Sequence, residues 1–233
     1  MHPDRTARRL LFVFIAVALT LAVPSMTEAK SLWHLRVFGV WIEPDLDYKV
    51  PADDDIDLLA TTDGGFGLGI SAEYQFSDRL GLELGVLRAS PDIVLDYYLR
   101  EFDASFSVSD SLAMTPITLG LDIHLLPESR LDLYLSPFLG YVRNSDLEFT
   151  INQSFEVGGQ IITIEDAARV QVASDVAYGA TLGVDIPFSS RPWAVATSLR
   201  YLATELDATD PDGESITPDF NSWILTVGLR YTF

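Results

Sequence analysis

The sequence predicts an all-β fold, a single eight-stranded antiparallel transmembrane β-barrel, and three observations lead to it. Large apolar side chains recur at every second position in eight segments. The links between those segments alternate between short and long. Within the segments, apolar and aromatic residues keep one parity while glycines and charges keep the other.

Composition narrows the function classes. The 233 residues include 15 Lys+Arg against 34 Asp+Glu, a formal net charge of −19, and no cysteine. The absence of cysteine excludes a disulfide-stapled module, thiolate metal centres and a cysteine nucleophile. A polyanion without clustered Lys/Arg is no partner for nucleic acid, because phosphates must be neutralised.

At the start of the chain, Arg5, Arg8 and Arg9 precede the apolar run 10–23, which Pro24 and the small-residue end Thr27-Glu28-Ala29 follow. This reads as a signal peptide, residues 1–29, cleaved on export. The apolar run is shorter than the roughly 20 residues of a spanning helix. Residues 30–233 are then expected to form one exported domain, a single outer-membrane β-barrel.

The eight segments are 32–43, 65–76, 80–88, 112–125, 131–142, 174–186, 193–203 and 221–233. An even number of strands, each about 9–11 residues or slightly longer, is what an outer-membrane type barrel requires. Tight turns join segments two and three (77–79), four and five (126–130), and six and seven (187–192). The links 44–64, 89–111, 143–173 and 204–220 are long and polar. Short turns belong to the periplasmic end and long loops to the extracellular end. Pro137 is unusual in a strand because it donates no ladder hydrogen bond; a lateral gap, a bulge or tolerance at a strand end would each account for it.

Period two leaves open which face looks inward, since a lipocalin-like barrel has an apolar interior. The contents of the two faces decide. One carries Leu35, Val37, Leu68, Ile70, Leu82, Leu84 and their counterparts in every later segment, without an interrupting charge. Aromatics end that face at both heights: Trp33, Trp193, Tyr231 and Phe233 near the short turns, Trp41 and Trp223 near the long loops. Two aromatic girdles around an apolar band match lipid headgroups, so this face looks outward. The other face holds nine glycines, which suit a narrow lumen, and nearly all the ionisable strand residues.

Strand direction assigns heights within the lumen. His34, Arg36, Glu73, Glu83, Asp122, His124, Asp132, Asp185 and Arg230 fall in the lower half as a polar network, to which Arg200 belongs by parity. Phe38, Val40, Ile42, Phe138, Val142, Leu202 and Ile224 fall in the upper half as an apolar constriction. Such a lumen does not pass ions freely, because apolar constrictions dewet. It has room in principle for an apolar molecule from above; the plain alternative is that these side chains plug the barrel for stability.

Several short stretches resemble the outer-membrane protein W (OmpW) family. They are Trp33-His34-Leu35-Arg36-Val37 with Pro44 beyond, 74–85, Thr115 to Gly120 followed by Leu131 to Tyr141, and the closing Val227 to Phe233. The resemblance implies an eight-stranded barrel that takes up small hydrophobic molecules through a narrow apolar channel, with a sideways opening into the bilayer. It also implies that the terminal Phe233 is read by the barrel-assembly machinery. Expected partners are therefore outer-membrane lipids and lipopolysaccharide, that machinery, and small hydrophobic ligands. The link 143–173 departs from the family pattern and has the composition of a hairpin continuing above the membrane.

An enzyme is not expected. Hydrolysis needs a Ser activated by a carboxylate-oriented His, and after the leader only His34 and His124 remain, both in the lower lumen. No cofactor or metal is expected either. Asp210-Pro211-Asp212-Gly213 lacks the full spacing of a calcium loop, and the acidic links read as solvated charge runs. The competing function class is a non-transporting envelope barrel that acts as a receptor, adhesion or structural surface through its acidic loops.

Overall fold

The protein is described from a computed structural model, in which residues 32–50, 56–100, 104–126, 131–157, 160–188, 192–209, 213 and 215–233 are described. The expected leader, 1–29, lies outside these residues, as do 127–130 and 189–191 of two short turns and most of the Asp210–Gly213 stretch.

Among the described residues fourteen strands follow in order. The first seven are β1 (Leu32–Asp45), β2 (Asp47–Val50), β3 (Ile56–Ser77), β4 (Leu80–Leu99), β5 (Ala104–Ser111), β6 (Met114–His124) and β7 (Asp132–Asn144). The rest are β8 (Leu147–Val157), β9 (Gln160–Val172), β10 (Asp175–Pro187), β11 (Trp193–Ala203), β12 (Ala208–Thr209), β13 (Ser215–Ile216) and β14 (Asn221–Thr232). Eight of them close a ring, β1-β3-β4-β6-β7-β10-β11-β14 and back to β1, with every pairing antiparallel. Closure lets every strand find a partner on both sides, which is what allows a sheet to stand in hydrocarbon. No helix among the described residues is long and apolar enough to cross a membrane, which does not bear on crossing by strands.

The two faces separate by parity as expected. Val37, Leu68, Leu84, Leu119 and Val227 point outward and are exposed. Rings pair along both ends of that face: Trp33 with Tyr74 and Trp193 with Tyr231 near the short turns, Trp41 with Phe66 and Tyr201 with Trp223 near the other end. Lumen glycines make room for rings. A Cβ at Gly69 would strike the Phe38 ring, and one at Gly183 the Tyr134 ring.

The long links differ from the expectation that they are loops. β3 and β4 stay paired from Gln75–Gly81 up to Ile56–Leu99, with a register shift between Asp63 and Phe66. β2 adds to the edge of β3 and β5 to the edge of β4. The reason is visible in retrospect: Ile93, Leu95 and Tyr97, then Phe106 and Val108, keep the apolar alternation beyond the membrane. The link 143–173 forms the hairpin β8–β9, which β12 and β13 extend. Glu148 N–H donates to Asp110 Oδ2, tying the hairpin to β5.

Pro137 lies in mid-strand rather than at a strand end, and it leaves a gap without a bulge. The β6–β7 ladder skips Leu121 opposite Pro137 and Asp122 opposite Ser136, then resumes in the same register at Ile123–Leu135. Pro116 does the same on the other side of β6, where the β4–β6 ladder skips from Val86–Ile117 to Ala89–Met114. Each proline lacks the N–H its neighbour strand would receive.

Candidate functional site in the barrel lumen

All eight barrel strands contribute to the lower lumen, and Arg36 on β1 is its centre. Its guanidinium donates to Glu73 on β3 at 2.8 Å, Glu83 on β4 at 2.9 Å and Asp185 on β10 at 3.0 Å, with Asp122 on β6 at 3.7 Å. β10 is not adjacent to β1 in the ring, so the Arg36–Asp185 pair spans the lumen. Arg230 on β14 reaches Asp185 at 2.7 Å and Asp132 on β7 at 3.0 Å. His124 stands between Asp132 and Glu73, 2.8 Å from each. His34 sits at the bottom against Thr232 and Gln75. Neither histidine contacts a serine hydroxyl in these bonds.

Arg36, Glu73, Asp122 and Asp185 are essentially inaccessible to solvent, and five carboxylates share three arginines and His124. Charges taken out of water persist only when partners replace the lost hydration. The interleaved geometry does this in part: each guanidinium serves at least two acceptors, while both Asp122 oxygens, Asp185 Oδ1 and the Nε atoms of Arg36 and Arg230 are buried without a hydrogen-bond partner among the described residues. Sequence reading missed Tyr134, whose ring lies 4.9 Å beneath the Arg36 guanidinium. Its parity alone, matching Asp132 and Ser136 on the same strand, places it in the network.

Glu73, Asp122 and His124 offer ligand atoms within 4.8 Å of one another. Arg36 already lies against two of the three, so a cation there would compete with a guanidinium. The arrangement works as an ion-pair network, with little to recommend it as a metal centre.

Arg200 on β11 marks the upper edge of the charged layer. Its Nε donates to Thr181 at 2.9 Å, its Nη2 lies 3.5 Å from Glu83, and its guanidinium covers the Phe138 ring at 4.8 Å. Above it Phe38, Val40, Ile42, Phe138, Val142, Leu202 and Ile224 are all buried, four of them at 0% exposure. They do not end where the membrane ends. Leu112, Met114, Leu147, Phe149, Val172, Leu206 and Phe220 continue the same apolar cluster into the space between the β2-β3-β4-β5 extension and the β8–β9 hairpin. The expected constriction is thus the lower part of a deep, packed column, because the extended strands carry their inward apolar parity upward with them.

A recess of about 440 Å³ lies at the tip of the extension, bordered by Lys49, Asp57, Leu59, Asp96 and Tyr98. Asp57 there takes Arg100 at 2.7 Å and Lys49 at 3.0 Å. Most of these residues have the outward parity, so the recess is separate from the lumen column.

Residues 15–233 match the outer membrane protein beta-barrel domain. The chain belongs to that family. Its place is accordingly the outer membrane. Comparison with curated proteins returned no match. Among solved structures it is similar in fold to the outer membrane protein OprG from Pseudomonas aeruginosa, at 15% identity and a TM-score of 0.55, covering 90% of this chain and 99% of that one. It is also similar to Neisserial surface protein A, at 16% identity and a TM-score of 0.50, over 86% of this chain and 97% of that one. The outer membrane protein AlkL, solved in lipid bilayers, aligns at 14% identity and a TM-score of 0.50, over 91% and 94% of the two chains. At such identities the likeness concerns the fold.

Proposed function

We propose that this barrel admits small hydrophobic molecules across the outer membrane, in the manner of the OmpW family that its sequence resembles. The observation that supports it most is the unbroken apolar column from Phe38 and Phe138 up to Phe149 and Phe220. A purely structural plug needs no apolar continuation above the bilayer. Straight passage to the periplasm is opposed by the Arg36 network, which a solute would have to break at high electrostatic cost. The route we infer therefore turns sideways beside β6, where the prolines at 116 and 137 remove ladder bonds on both flanks. Rearrangement of the packed column side chains is the gating step. No catalytic residue and no cofactor enters this reading, and Phe233 serves recognition by the assembly machinery.

The close packing of the column favours the competing reading, a non-transporting surface barrel of the Gram-negative envelope. Uptake of 1-N-phenylnaphthylamine by cells with an intact lipopolysaccharide layer separates the two. Cells making the protein should take up the dye faster than cells without it. Phe138→Asp, shown to fold by heat-modifiable migration, should remove the gain, and Pro137→Ala should slow uptake by restoring a ladder N–H. Equal rates in all strains would leave the surface reading standing.

A further inference from the structure

Among the described residues, two cations on the outward face stand apart from the rest. Arg36, Arg200 and Arg230 are committed to the lumen, while Lys49, Arg100 and Arg169 pair with extracellular carboxylates. Arg79 lies in a short turn at the periplasmic end. Arg88 on β4 and Arg143 on β7 are exposed on the outward face and have no carboxylate within ion-pair distance among the described residues. That is unusual in a chain of net charge −19.

Register brings the two together. Ala89 faces Met114 across β4–β6, so Arg88 lies beside Thr115, and Thr115 pairs with Arg143 on β7. Arg88, Thr115 and Arg143 thus form one row across three neighbouring strands, with the two arginine backbones about 10 Å apart at the usual strand spacing. Below the row on the same face lie Val86, Ile117, Leu119, Leu139 and Tyr141, all exposed and apolar or aromatic. Above it lie Ser90, Ala113 and Ser145. The row therefore marks the upper edge of the apolar band, at the outer headgroup level.

We propose that Arg88 and Arg143, with Thr115 between them, form a binding site for the phosphorylated headgroup of an outer-leaflet glycolipid, lipid A. A guanidinium fork matches phosphate oxygens, and two forks about 10 Å apart suit a headgroup carrying two phosphates. The acyl chains then lie over Leu119 and Leu139. Charge confines the site to this row: farther up the strands Asp63 and Asp92, directly opposite one another on β3 and β4, and Glu43 and Asp45 on β1 face outward and repel the same headgroup. The site does not depend on whether the lumen passes any solute.

The test is native mass spectrometry of the refolded barrel in detergent with bisphosphorylated lipid A, monophosphorylated lipid A and phosphatidylglycerol as probes. Retention of the bisphosphorylated lipid should fall about tenfold or more in R88Q/R143Q, as expected for losing charge-assisted hydrogen bonds. Each single variant should lie between, and R79Q in the short turn should behave as the parent. Heat-modifiable migration verifies folding of every variant. Equal retention by the parent and the double variant would overturn the site. A loss in R79Q as large as in the double variant would reduce the effect to net charge and overturn it too. Retention of phosphatidylglycerol equal to that of lipid A would overturn the assignment to a glycolipid.

Discussion

The lower and upper halves of the lumen are built from the same strands at the same parity, yet they are held in opposite ways. Below, Arg36 meets four carboxylates from four strands, and these pairs form only when the ring is complete. Above, Ile42, Val142, Leu202 and Ile224 fill space with no directional requirement. A charged layer makes closure and register nearly all-or-none, because a missing partner leaves a buried charge exposed to low dielectric. An apolar column tolerates small losses and rearrangement, which is the property a gated hydrophobic path needs. Arg200, bonded to Thr181 and lying over Phe138, joins the two regimes.

Removing the central cation should have the largest effect. Arg36→Ala takes a buried cationic partner from Glu73, Glu83 and Asp185 at once, leaving them only His124, Arg200 and Arg230, and should cost about 3–5 kcal/mol, as for breaking a buried pair. The urea midpoint of the barrel in vesicles reads this out; a loss below 1 kcal/mol would mean that the layer is hydrated and its pairing incidental. In the column, Ile42→Val removes one methylene from a fully buried residue and should cost about 0.5–1.5 kcal/mol by the same measurement. A larger cost for Ile42→Val than for Arg36→Ala would invert the contrast between the halves.

The smallest effect belongs above the membrane. The Arg169 guanidinium, 2.7 Å from Asp146, and then the Val172 N–H hold the Asp146 carboxyl below the usual carboxylate range. A depressed carboxylate stabilises above its unfolded value, about pH 4, and that contribution is lost as pH falls through the lower folded value. Amide exchange in the β8–β9 hairpin, corrected for intrinsic rates, should therefore quicken slightly below about pH 4 while β10 and β11 stay protected. Asp146→Asn should remove the pH dependence.

Much of the barrel was legible in the chain. The alternation around Leu68-Gly69-Ile70 or Leu133-Tyr134-Leu135 fixes strand and facing at once, since in a β-strand successive side chains must point to opposite sides. The aromatic ends of the outward face gave its orientation in lipid. The extramembrane strands were harder to read: links 44–64 and 89–111 carry enough Asp to look like loops, although Leu58, Ala60, Ile93 and Leu95 keep the period. The packed depth of the apolar column was hidden with them.

By itself, then, the sequence determined the number of barrel strands, their faces and the rough height of charge and apolar side chains, because those follow from local periodicity. Which carboxylate meets which guanidinium was decided only by the closed ring, as was the row that brings Arg88 and Arg143 to one level. Those contacts depend on register between strands far apart in the chain, and on curvature that carries Asp185 across to Arg36. A single strand's pattern contains neither.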